Sequence, residues 1–208
     1  MRMWIIGLCG LLLLLAGCSS AIQSQNASPP LVEESLMLDS VEQVKRLMAM
    51  RDLDEIFALE DDTDFAIALS SALCDWTDYG ESLDGLSPEA QSFYLCYSLD
   101  AEVNNGGFSS FIYNSTGQWG PETIEALETV GAPQTAELLR QVIALLVCDE
   151  YPRDIIERNE ILNLSSDAFD RSIDELDNAF FASPDGVLQD LYVTYARDHR
   201  DCFSEPEN

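Results

Sequence analysis

Basic side chains are scarce in this sequence. Its 208 residues hold Lys+Arg 10 against Asp+Glu 38, a formal net charge of −28 with a sequence pI near 4.1. A chain this negative repels the phosphate backbone, which excludes direct nucleic-acid binding through counterion displacement. Histidine is rarer still: His199 stands alone, so a multi-histidine metal site is excluded. Catalytic signatures are missing too. There is no Gly-x-Ser-x-Gly elbow, no phosphate loop and no His-Glu-x-x-His. The acidic run Asp61-Asp62-Thr63-Asp64 lacks the glycine and terminal glutamate of a calcium loop. Neither a metal nor a cofactor is expected, and no enzyme is indicated. Period-2 alternation with hairpin turns is absent, as is any fixed-period repeat. Apolar material is not lacking. Hydrophobic residues make up 47% and the mean hydropathy is −0.03, enough to build one core and too much for a disordered acidic chain.

Residues 1–17 read as an address. Arg2 is a short positive region, and Trp4 to Ala16 is an apolar run shorter than the roughly 20 residues that span a bilayer. The run ends in Leu15-Ala16-Gly17-Cys18, which resembles the bacterial lipoprotein signal, with Cys18 as the acylated new N-terminus. Acyl chains contribute about 0.8 kcal/mol per buried CH₂, so membrane attachment through lipidated Cys18 is expected to be stable. Ser19 follows the cysteine, and lipoprotein sorting then implies the periplasmic side of the outer membrane in a Gram-negative cell. Removal of residues 1–17 takes Arg2 away, leaving nine basic residues against 38 acids, a charge of −29. Residues 18–35 read as the acylated cysteine and a small, polar, proline-bearing linker.

The remainder reads as all-α, one multi-helix domain over 36–203 with a tail at 204–208. Ser40 is positioned to cap a helix from Val41, and the acidic stretch at 60–64 suits the start of another running to about Tyr79. Ser87-Pro88 opens a helix to about Asn104, which Asn105-Gly106-Gly107 stops before a short helix from Phe108. Pro121 and Pro133 begin two more. The segment 133–147 is apolar nearly all round, which predicts the buried central helix. Ser165 or Ser166 caps a helix carrying Phe169, Ile173, Leu176 and Phe180, and Val187 to Tyr195 lies on the last.

One ordered series of motifs stands out: DAEVNNGGFSSFIYNSTG (100–117), ALETVGAP (126–133) with AELL (136–139), and LDNAFF (176–181). The series resembles the DNA-mimic protein C-terminal-domain-like family, a bacterial domain, over residues 86–198. The resemblance implies an all-α domain, in agreement with the periodicity. The family's named member is an acidic cytoplasmic dimer that imitates the charge pattern of DNA and occupies a DNA-binding protein. A homodimer and a basic protein partner are therefore what the resemblance implies. The export signal and the cysteines lie outside the family pattern.

Two groups are candidates for a site. Glu102, Asn104, Asn105, Gly106, Gly107, Phe108, Phe111, Asn114 and Gly117 suit a cleft in which Glu102 and Asn114 face aromatic walls that include Tyr113. The same residues also suit a purely architectural junction between helices. Asp170, Asp174 and Asp177 share one flank of their helix, as a negative stripe or as a solvated face. Cys74, Cys96, Cys148 and Cys202 survive export and suggest the bridges Cys74–Cys96 and Cys148–Cys202, with free thiols as the alternative. The first bridge would close a loop of about 22 residues and stabilise by roughly 3 kcal/mol. Three functions stay open: a lipid-anchored acidic protein-interaction module, a DNA mimic occupying a basic partner, or a ligand binder or enzyme with a cleft near Glu102 and Phe108.

Overall fold

Helix starts follow the capping residues. The computed structural model describes residues 31–146, 150–164 and 166–206, with side chains from Asp39 onward. The signal segment 1–17, Cys18, the linker up to Pro30, and Cys148 lie outside the described residues. Among the described residues nine α-helices follow in order: α1 Leu31–Met48, α2 Leu53–Phe57, α3 Asp62–Trp76, α4 Pro88–Tyr113, α5 Gly120–Thr129, α6 Pro133–Leu145, α7 Ile155–Asn163, α8 Asp167–Phe181 and α9 Leu188–Asp198. Short 3₁₀ turns occupy Ser115–Trp119 and Arg200–Cys202. No strand occurs among the described residues, so the chain is all-α.

Asp52, Asp61, Ser87, Asp154 and Ser166 each place a side-chain oxygen on free amides at the start of the helix that follows. Ser40 does not cap. It lies inside α1, which begins at Leu31 and so covers 31–35, read from the sequence as linker.

The central helix is α4, and not the 133–147 segment. It packs on α3, α5, α7, α8 and α9. Phe93, Leu99, Val103, Phe108, Phe111 and Ile112 along it are fully buried. In α6, Ala136, Leu139 and Val142 face inward while Gln134, Glu137 and Gln141 face solvent, so it is an amphipathic outer helix. Leucine density misled because half of those leucines only partly bury.

Phe57, Phe65, Phe93, Tyr97, Tyr192 and Phe203 form a cluster of mostly edge-to-face rings at the start of α4. Arg197 lies over Phe65 and Arg200 over Phe57, at 4.2 and 4.5 Å from the ring centroids. These contacts hold the end of the domain, up to buried Phe203, against its beginning.

Cys74, Cys96 and Cys202 are free thiols, so the expected Cys74–Cys96 bridge is not formed and Cys202 is unbridged. The Cys74 thiol sits against the Tyr94 phenol. Cys96 lies two residues beyond Tyr94, about 200° around α4, and faces away from it. Burial pushes the Cys96 thiol far up, which makes it an inert core side chain.

Candidate functional site

The motif 100–117 is a broken helix whose break is repaired from two directions. Gly106 and Gly107 leave the helical range, and Gly107 takes φ +71°, ψ −177°, a region open essentially to glycine alone. The sequence reading of a stop at this point holds, although the two halves run on as one kinked element. Phe108 then begins the second half. Asp177 of α8 accepts a hydrogen bond from its amide at 2.7 Å. A Cβ on Gly107 would come within 2.2 Å of the Asp177 carboxylate, so the glycine also makes room for the cap.

Glu102 bridges the break. Its Oε2 accepts from Ser110 Oγ at 3.0 Å and from Asn114 Nδ2 at 2.7 Å, tying the first half of α4 to the second. Asn104 donates to the Asp100 carbonyl and carboxylate, at 2.8 and 2.7 Å. Tyr192 donates to the other Asp100 oxygen at 3.1 Å. Burial raises the Asp100 carboxyl above its ordinary value, against the lowering effect of these donors. Asn105 is exposed.

The C-terminal end of α4 is closed by Arg158 of α7, whose side chain is fully buried. Its Nε donates to the Ile112 carbonyl at 2.9 Å and its Nη2 to Asn114 at 2.8 Å. Its Nη1 donates to the Arg153 and Pro152 carbonyls at 2.5 and 3.3 Å. Carbonyls at a helix end are unpaired and carry partial negative charge, so they can hold a buried cation. Gly117 is small for this reason. A Cβ there would meet the Phe111 carbonyl at 2.5 Å and Arg158 Nε at 3.1 Å.

Phe108 and Phe111 are core, with Phe108 packed on Phe180, and they are not walls of a cleft. An open hollow of about 370 Å³ lies beside them. Ser109, Ser110, Tyr113 and Asn114 form one side, and Leu162 of α7 with Phe169 and Asp170 of α8 form the other. Glu102 stands one hydrogen bond behind Ser110 and Asn114.

The acidic stripe separates into parts. Asp170 lines this hollow and Asp174 is exposed, whereas Asp177 is the half-buried cap, its carboxyl raised by burial. No group of three or more His, Cys, Asp or Glu residues suited to a metal occurs among the described residues. No helix of the described residues is long and apolar enough to cross a membrane. His199 stacks on Tyr195, with Nδ1 2.8 Å from the Tyr195 carbonyl oxygen.

Sequence reasoning missed α7 and Arg158. Its signal was present: Arg158, Ile161 and Leu162 share one helical face, which places the arginine among apolar side chains.

A protein-family model for DMP19-like protein matches residues 84–199. The chain belongs to the DMP19-like family. Every part of the broken-helix assembly lies inside the matched span, from Glu102 to Asp177. The DMP19-like domain also includes Ser87, which caps α4, and the whole of α9. Beyond the family, no curated protein and no solved structure matches the chain.

Proposed function

We propose that this protein is a lipid-anchored, non-catalytic interaction module whose acidic surface binds a basic protein partner at the cell envelope. The observation that carries this reading is the fate of its cations. Arg51 pairs with Asp75, Arg140 with Glu128 and Glu137, and Arg153 with Glu122. Arg197 pairs with Asp62, Arg200 with Asp54, and Lys45 with Glu42, while Arg158 is buried on carbonyls. Seven of the nine basic residues after Arg2 are thus engaged within the chain, so unpaired carboxylates dominate the surface and attract positive charge over a Debye length of about 10 Å at 0.1 M salt.

The anchor rests on Cys18 and its preceding small residues. Palmitate labelling and membrane fractionation of the wild type and Cys18→Ser test it. The reading expects label and membrane recovery in the first only, and a wild type that stays soluble and unlabelled opposes it. A second reading follows from membership of the DMP19-like family: the domain acts as a DNA mimic and occupies the basic surface of a DNA-binding protein. That function needs a cytoplasmic pool, so the same fractionation separates the two. Exclusive recovery of the acylated form removes the mimic reading.

A further inference from the structure

We infer that the hollow between the second half of α4 and the start of α8 is the anchoring point for an arginine side chain of the partner. This rests on the proposed basic partner and names where that partner is gripped. The chemistry of the lining selects the occupant. Ser110 commits its hydroxyl hydrogen to Glu102, and Asn114 commits its amide hydrogens to Glu102 and to Ser110 Oγ, at 2.7 and 3.4 Å. What these two residues retain is acceptor capacity. Asp170 adds a carboxylate, and Glu102 adds a second charge one hydrogen bond behind the lining.

Tyr113 and Phe169 supply aromatic rings on opposite sides, and Tyr113 is 55% exposed. Acceptors, carboxylate and ring faces together suit a flat, donor-rich cation: a guanidinium stacks on a ring while its N–H fork reaches oxygen. An anion is repelled, and a neutral apolar group leaves the acceptors without partners. The volume of about 370 Å³ admits one protruding side chain.

The test uses the full-length chain in detergent and a fluorescein-labelled peptide of alternating arginine and glycine, read by anisotropy. Its citrulline counterpart has the same shape without the charge. The arginine peptide is expected to bind saturably and the citrulline peptide at least tenfold more weakly. Asp170→Asn and Tyr113→Ala should each weaken binding about two- to fivefold. Tyr113→Phe, which keeps the ring, should retain it. Asp201→Asn serves as the control, because Asp201 adjoins Cys202, which contacts Glu89 at the opposite end of α4. Both altered side chains in the hollow are exposed, so folding should be unaffected. Saturable binding that Asp201→Asn weakens as much as Asp170→Asn overturns the assignment to this hollow and leaves the basic-partner reading standing. No binding of the arginine peptide by the wild type overturns both.

Discussion

Replacing Gly107 by alanine should cost about 3–4 kcal/mol, and about 1.5 kcal/mol of that cost should vanish once Asp177 is also removed. Two contributions make up the figure. A Cβ at φ +71°, ψ −177° costs about 1–3 kcal/mol. The same Cβ would lie 2.2 Å from Asp177 Oδ2, so the carboxylate must withdraw from the Phe108 amide. Losing that cap costs about 1.5 kcal/mol. Asp177→Ala alone loses the cap and nothing else, about 1.5 kcal/mol. Independent effects would sum to about 5 kcal/mol in the double variant. The geometry predicts about 3.5 kcal/mol, because the cap can be lost only once, and hence a coupling near 1.5 kcal/mol. Urea denaturation followed by circular dichroism at 222 nm gives all four stabilities. Strict additivity, or a Gly107→Ala variant within about 0.5 kcal/mol of wild type, would refute the argument that Gly107 exists to admit the Asp177 cap.

Three further outcomes follow. Arg158→Met should destabilise by about 3 kcal/mol or more, since buried carbonyls lose a charged donor, and Arg158→Lys should recover only part; urea midpoints check both. Asp185 accepts from the Thr135 amide at 2.7 Å and the Gln134 amide at 3.1 Å. Partial burial raises its carboxyl, but these bonds outweigh that and hold it below the ordinary value. Its stabilisation is therefore complete above the unfolded value of about 3.9 and is lost as pH falls through the lower folded value. Asp185→Ala should cost about 1 kcal/mol at pH 7, with the gap to wild type narrowing below pH ~4 in urea titrations at stepped pH. Iodoacetamide mapping of the native protein should leave Cys96 unmodified until urea unfolds the chain. Labelling of Cys96 at the rate of exposed thiols would contradict its burial.

Except at Ser40, which lies inside α1, local rules made helix boundaries legible. Ser87-Pro88, Ser166 and Gly106-Gly107 marked their boundaries because capping and positive φ act on neighbouring residues. The parts that failed depend on distance in the chain. Asp177 seemed one acid of a helical stripe, and only the fold sets it on an amide 69 residues away. The hydrophobicity of 133–147 suggested a central helix, but position in the core is decided by which helix the others surround. Pairing the cysteines by order along the chain ignored the 200° that separates Tyr94 from Cys96 around α4. The hollow was half legible. Tyr113, Asn114 and Asp170 are legible as separate candidates, but only packing brings Leu162, Phe169 and Asp170 across to the end of α4.

The most direct test of the acidic-module account is the salt dependence of partner binding in place. A photo-crosslinker at Tyr113 in the full-length, membrane-bound protein would capture whatever occupies the hollow, and repetition from 0.05 to 1 M salt shortens the screening length from above 10 Å to about 3 Å. The account predicts one envelope protein, crosslinked through an arginine-bearing segment, whose yield falls steeply as salt rises and falls again with Asp170→Asn. A crosslinked partner whose yield is indifferent to salt and to Asp170→Asn would contradict it.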